Sequence, residues 1–247
     1  MKNLMLTLGL LGWMTISSWA QNDYLQWETH RYYAKPGQAE NFEKGLAAHN
    51  KKFHSAAPYK TSIFHVRTGP NSGCYELVMG PMTFTQMEGR PTGDDHDNDW
   101  EKNVLAYAEP IGETIYWRAD KDLQYNPAGS EAYDSFRWRY NNILPGQADR
   151  YEEMINKVIA VFKAKNLKGS FATYWRWGAS QGPHACTELG MDSFAYFDQY
   201  TNWEKDFEEV HGEGSFKRFG EDLDMCIDRT KSYDELATYD AELSSPR

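Results

Sequence analysis

Basic residues are scarce in this chain of 247: 26 Lys and Arg stand against 36 Asp and Glu, a net charge of −10. So acidic a protein repels phosphate backbones, which argues against general nucleic-acid binding. No apolar run reaches the ~20 residues that a spanning helix needs, so no membrane span is expected. Cysteine is scarce too. Cys74, Cys186 and Cys226 permit one disulfide with a thiol left over, too few for a disulfide-stapled scaffold. Without a C-x-x-C pair the usual signatures of thioredoxin chemistry and of thiolate zinc sites are missing. Gly-x-Ser-x-Gly, P-loop and Gly-x-Gly-x-x-Gly patterns are also missing, which removes the usual support for a serine hydrolase, an NTPase or a dinucleotide enzyme. Aromatic residues, by contrast, are plentiful: 9 Trp, 16 Tyr and 12 Phe supply ample material for a buried core.

Residues 1–20 read as a signal peptide. Lys2 gives a positive start, residues 4–14 form an apolar core, and Ser18-Trp19-Ala20 places small residues at the −3 and −1 positions of a cleavage site. Cleavage after Ala20 predicts a periplasmic or secreted protein. No cysteine follows the apolar core, which disfavours a lipid anchor.

The rest of the chain is written twice. Pro-Gly-Gln-Ala-Glu-Asn-Phe-Glu at 36–43 returns as Pro-Gly-Gln-Ala-Asp-Arg-Tyr-Glu at 145–152, an offset of 109 that also carries Phe53 to Phe162, Arg67 to Arg176 and Gly69 to Gly178. After a three-residue insertion, Cys74-Tyr75-Glu76-Leu77-Val78-Met79 corresponds to Cys186-Thr187-Glu188-Leu189-Gly190-Met191. Each unit parses the same way. An aromatic, alternating strand (25–33 and 134–142) leads to a helix opened by Pro36 or Pro145. A hairpin follows (60–68 with 74–80, and 169–177 with 185–191), then helix (98–110; 194–209 with 214–228) and a closing strand (113–119; 229–235). The order βαββαβ predicts two ferredoxin-like repeats, 21–128 and 129–247, each an antiparallel sheet with helices on one face. The uncovered faces can be buried by packing sheet to sheet.

On these features, the Pro-Gly after an aromatic strand, the βαββαβ order and the duplication, the chain resembles the dimeric α+β barrel superfamily, including its antibiotic-biosynthesis-monooxygenase-like and NIPSNAP-like groups. The resemblance implies a fused pseudo-dimeric α+β barrel around a cavity, the place where oxygenases and haem-binding members of that superfamily do their chemistry. Because the duplication already forms a pseudo-dimer, a monomer is expected.

Alternation along strands sorts side chains onto two faces. Tyr75, Leu77 and Met79 belong under the helices, which turns Cys74, Glu76 and Val78 inward; Cys186 and Glu188 follow in the second unit. Phe64 and Val66 are assigned to the helices, leaving Ile63, His65 and Arg67 inside, while Tyr174 and Arg176 face inward from the equivalent strand. On the first strands Trp27, Thr29, Phe136 and Trp138 form the covered face, and Glu28, His30, Tyr32, Arg137, Arg139 and Asn141 face the cavity. A hairpin pairing Arg67 with Cys74 sets His65 opposite Glu76 and Tyr174 opposite Glu188.

Two readings of this cavity follow. In one, Glu76 and Glu188 are buried carboxylates neutralised by Arg67 and Arg176. In the other, His65 and Glu76 are an acid–base pair, and Arg67, Arg176, Glu188, Tyr174, His30 and Arg139 bind a small-molecule ligand. Exchange of His65 for Tyr174 and of His30 for Arg139 between the units favours a site. The function is then that of an exported small-molecule-binding barrel or, alternatively, of a cofactor-independent oxygenase or haem-handling enzyme. A cavity filled by its own Trp and Tyr is a third outcome. The residues require no cofactor. His30, His49, His54 and His65 are candidate haem ligands, although C-x-x-C-H is absent. The acidic run at 94–99 fails the EF-hand pattern, with Trp100 where glycine is needed and Ala106 where the bidentate glutamate belongs, and reads as a loop capping the next helix. No metal site is assigned. Cys74 and Cys186 are either a bridge across the pseudo-dyad or two separate buried thiols.

Overall fold

The computed structural model describes residues 24–127, 129, 133–178, 182–200 and 202–246; the expected signal peptide lies outside them. The first half runs β1 (Gln26–Ala34), α1 (Ala39–Phe53), β2 (Thr61–Val66), β3 (Tyr75–Met82), the short α2 (Phe84–Met87), α3 (Asp94–Asn103), one 3-10 turn (Leu105–Tyr107) and β4 (Ala108–Tyr125). The second runs β5 (Ser135–Asn141), α4 (Ala148–Lys165), β6 (Ser170–Trp177), β7 (Ala185–Met191), α5 (Tyr196–Gln199), α6 (Trp203–His211), α7 (Ser215–Cys226) and β8 (Tyr233–Asp240). Eight antiparallel strands close into a barrel in the order β1-β3-β2-β8-β5-β7-β6-β4. Around that ring, β4-β1-β3-β2 is followed by β8-β5-β7-β6, the same order in each half. The halves meet where β2 pairs with β8 and where β4 pairs with β6. Among the described residues no helix is long and apolar enough to cross a membrane.

Local chemistry explains the elements. Pro36-Gly37 and Pro145-Gly146 make reverse turns, closed by Gln38 N–H to Lys35 O at 2.9 Å and Gln147 N–H to Leu144 O at 3.1 Å. Proline presets the second turn position and glycine takes the positive φ of the third. The prolines thus stand in the turn ahead of each helix, not in its first turn. Helix α1 then buries Phe42, Leu46, His49 and Asn50, and α4 buries Tyr151, Met154, Ile155, Ile159, Val161 and Phe162. Two expected boundaries shift. The acidic run at 94–99 is itself the first turn and a half of α3, where carboxylates favour the positive helix end. Strand β4 extends over 18 residues, because its two ends serve different neighbours, β1 and β6.

The described residues pack into three cores. One lies under α1 and α3 and contains Tyr32, Phe42, Leu46, Ile63, Tyr75, Leu77 and Met79. A second, under α4, α6 and α7, contains Tyr151, Ile155, Phe162 and Phe171. The third fills the barrel with Phe64, Val66, Cys74, Trp117, Trp138, Tyr140 and Cys186. The expected faces therefore hold for β3, β6 and β7 and are inverted for β1, β2 and β5. Trp27, Thr29, Phe136 and Trp138 line the barrel interior, whereas Tyr32 packs against Phe42 under the helices. The reason is that both faces of this sheet are covered, so alternation finds two sets without saying which is inside. On β2 the cause is local. Gly73 N–H donates to Val66 O at 2.8 Å, and Val66 N–H donates to Cys74 O at 3.0 Å, so two residues of one strand oppose one of the other. Gly73, at φ 90°, occupies the bulge position that favours glycine. The bulge pairs His65 with Tyr75 and Phe64 with Glu76, one residue away from the expected register.

Candidate functional site

The barrel interior is built around one cation. Arg31 of β1 projects inward and donates from Nη2 to Glu76 Oε2 at 2.6 Å, to Glu235 Oε2 at 2.8 Å and to the Tyr140 hydroxyl at 2.8 Å. Its Nη1 donates to Glu235 Oε1 at 3.1 Å, and Asn71 Nδ2 donates to that same oxygen at 2.7 Å. Glu76 and Glu235 are buried on opposite halves of the molecule, so the guanidinium clamps the two halves together. Burial pushes the Glu76 carboxyl up, Arg31 pulls it back down, and its net position is above the ordinary carboxylate range. Burial works against the charge of Arg31, but Glu76, Tyr140 and Glu235 hold it firmly protonated.

Glu188 has no such partner. It accepts hydrogen bonds from Trp138 Nε1 at 2.8 Å and from the Tyr174 hydroxyl at 3.3 Å, and no cation among the described residues is within ion-pair distance. Burial raises its carboxyl above the usual range. It borders a cavity of about 210 Å³ walled by Trp27, Phe64, Trp117, Phe136 and Trp138. Tyr174 and Cys186 line the same space, and burial holds both protonated well above their ordinary values.

A larger space lies on the other side of the second-half sheet, beneath α4, α6 and α7. It measures about 370 Å³, within the ~300–1,000 Å³ of small-molecule pockets. Its walls are apolar and aromatic, with Ile155, Val158, Phe162, Phe171, Trp203 and Phe219 among them, while Arg137 and Arg139 supply the cationic part of the lining. Asp234 engages Arg137 closely at 2.6 Å and Arg139 only at 3.8 Å.

These placements correct most of the expected site. His65 does not meet Glu76: it lies outside the barrel, with Nε2 2.7 Å from Asp240 Oδ2 and its ring 4.7 Å from that of Tyr75. Arg67 is exposed and donates to Thr238 Oγ1 at 2.9 Å, so it does not neutralise Glu76. His30 also points outward, 2.6 Å from Glu28, which Arg90 holds from the other side at 3.0 Å. Arg139 faces the helix-side pocket rather than the barrel. Arg176 does line an interior recess with Arg31 and Glu76, yet its partner is Glu113 at 2.6 Å, not Glu188. Tyr174 and Glu188 are brought together inside as expected, although the strand partner of Glu188 is Ala172. Arg31, Glu235 and Tyr140 were missed. The signal for Arg31 was present: it shares the alternation of Trp27 and Thr29, and the offset of 109 carries it to Tyr140. The three cysteines are free and buried, so the separate-thiol alternative describes Cys74 and Cys186.

Haem is a poor fit to either space. A haem iron takes an imidazole, a thiolate, a thioether with an imidazole, or a phenolate. No histidine is among the described residues lining either cavity, burial holds the Cys186 thiol protonated, and it pushes the Tyr196 phenol up to about 12.

No family model matches the sequence, and no curated protein matches it. Solved structures do. An anthrone oxidase-like protein shares 12% identity over 89% of this chain and 92% of its own, with a TM-score of 0.56. A haem-binding protein from Thermus thermophilus shares 11% over 89% and 92%, with a TM-score of 0.51. A mutant chlorite dismutase from Candidatus Nitrospira defluvii shares 6% over 86% and 90%, with a TM-score of 0.53. At these identities the likeness establishes the fold alone: a mixed α+β chain whose eight antiparallel strands close into a barrel.

Proposed function

We propose that this is an exported protein that binds a small apolar organic acid in the pocket beneath α4, α6 and α7. The observation that carries the reading is the pairing of an aromatic-walled space of about 370 Å³ with Arg137 and Arg139 in its lining. Apolar walls supply the affinity and a guanidinium, one of them only loosely engaged by Asp234, fixes a carboxylate. Export rests on the amino-terminal pattern of the first 20 residues. The repeated strand order and the offset of 109 support a duplicated unit, 21–128 and 129–247, folded as a monomer. Titration of the mature protein with 1-naphthoate, followed by the fluorescence of pocket-lining Trp203, tests the binding site. Saturable quenching is expected, with at least about tenfold weaker binding of uncharged naphthalene-methanol. The Val158→Trp variant, which fills the pocket, abolishes the response, and Arg139→Leu weakens it by about tenfold, the worth of one charge-assisted hydrogen bond. Equal quenching in all three proteins would sink the proposal.

A second reading places an enzyme inside the barrel, with Glu188 as the proton-transfer group. It is favoured by one feature: a carboxyl facing an aromatic cavity, with no cation among the described residues in ion-pair distance, has its pKa raised by burial, the direction a proton donor needs. Because one structural relative is described as anthrone oxidase-like, oxygen uptake in the presence of anthrone is the assay. Uptake that disappears in Glu188→Gln supports this reading, and an unchanged oxygen trace rejects it.

A further inference from the structure

Three histidines converge between α1 and α3 of the first half, away from both cavities. His49 lies in the last turns of α1, His54 is the residue that ends it, and His96 sits in the first turn of α3. One ring nitrogen from each lies within 4.8 Å of the others. Their ring centroids are 4.8 Å (His49–His96), 5.3 Å (His49–His54) and 5.6 Å (His54–His96) apart.

The hydrogen bonds at Nδ1 of each ring decide which nitrogen is available. His54 Nδ1 faces the backbone oxygen of Tyr59 at 3.0 Å, and a carbonyl can only accept. His49 Nδ1 faces Asp99 Oδ1 and His96 Nδ1 faces Asp97 Oδ1, each at 2.8 Å. A carboxylate, like a carbonyl, offers only lone pairs. All three Nδ1 atoms are therefore donors, which leaves the lone pair of each neutral ring on Nε2. The Nε2 atoms of His49 and His96 are buried and have no hydrogen-bond partner. Orphaned buried polar atoms are rare and call for an explanation. His49 itself is only 1% exposed.

Imidazoles packed together for any purely structural end would gain from a bond at each nitrogen, and here the buried Nε2 atoms of two rings lack one. Neutral rings whose outer N–H groups are tied to carboxylates or a carbonyl are the arrangement that orients histidines around a metal.

We propose that His49, His54 and His96 form a three-histidine site for a late first-row divalent ion, zinc foremost, with Asp99, Asp97 and the Tyr59 carbonyl orienting the rings. Three imidazoles suit zinc, copper or nickel better than calcium or magnesium, which take oxygen ligands. Three protein ligands leave a fourth position of a tetrahedral ion for water or a small anion. Sequence spacing hides the site, because two ligands stand five residues apart at a helix end and the third arrives from a different helix.

The test uses untagged mature protein stripped with a chelator and then dialysed free of it. Zn²⁺ is titrated in competition with a chromophoric chelator, and Co²⁺ is added separately as a spectroscopic probe. The expected result is one Zn²⁺ per chain and an intense visible Co²⁺ band of tetrahedral type. Affinity should fall at least 100-fold in His96→Gln and 10–100-fold in Asp99→Asn. His96 is partly exposed, so its substitution is the one best tolerated by the fold. Nitrogen-detected NMR of the wild-type histidines gives a readout independent of any variant: Zn²⁺ should shift three Nε2 resonances and leave the matching Nδ1–H groups protonated. Absence of stoichiometric Zn²⁺ binding, equal affinity in His96→Gln, or Zn²⁺ that leaves these three rings unshifted would overturn the site.

Discussion

Two glutamates occupying equivalent strands have been given opposite electrostatic surroundings. Glu76 shares Arg31 with Glu235, whereas Glu188 has, among the described residues, two neutral donors and no cation in ion-pair distance. Removing Arg31 leaves two buried carboxylates without a cation, so Arg31→Leu should cost about 3–5 kcal/mol in urea unfolding. Arg67→Ala, at the exposed position, should fall within about 0.5 kcal/mol of wild type. For Glu188 the sign follows from linkage. Its folded-state pKa is raised, so the native protein holds the proton more tightly than the unfolded chain does. That stability is fully present at acid pH and is lost as pH rises from the ordinary carboxylate range through the raised value. Melting temperature followed against pH should therefore decline more gently in Glu188→Gln than in wild type. The sequence revealed that two carboxylates would face inward, because β3 and β7 place greasy residues on the alternate positions. It did not reveal their partners, since Arg31 sits on a strand whose two faces are equally covered, and Glu235 lies at the far edge of the stretch expected to form the closing strand.

The elements were legible where local rules act alone. Pro-Gly turns, helical stripes and hairpins all stand close to their expected places. What escaped was the single-residue bulge at Gly73, and its effect is large because strand periodicity is two: one extra residue turned His65 outward and Phe64 inward. A side chain at a positive φ is strained by roughly 1–2 kcal/mol. Gly73→Ala should therefore lower stability by about that amount without a steric clash, since an added Cβ would stand 3.9 Å from the Tyr33 ring. Chemical denaturation would show this as a lower midpoint at an unchanged slope. The long β4 was under-read for a related reason. Only its middle is apolar enough to register as a strand, while its ends are recruited by neighbours distant in sequence.

At the scale of the molecule, the carboxyl-terminal segment sews the second half onto the first. Asn50 of α1 donates from Nδ2 to Leu243 O at 2.7 Å, and the hydroxyls of Ser244 and Ser245 accept from the backbone N–H groups of Ile63 and Thr61 at 2.8 and 2.9 Å. Ending the chain after residue 240 should uncover these groups and lower the melting temperature, with the loss read by calorimetry. The proposed monomer is checked by sedimentation equilibrium of the mature protein; a mass twice that of one chain would contradict it. Closure of the ring has one more consequence. Each strand has a hydrogen-bonded neighbour on both sides, so the intact barrel offers no sheet margin on which another chain could template itself. A break between the halves would create four such margins at once, along β2, β8, β4 and β6. Proteolytic nicking followed by separation of the halves should therefore yield not two soluble fragments but material that recruits itself into insoluble β-rich assemblies. The same ring that encloses the aromatic interior thus keeps the chain from polymerising.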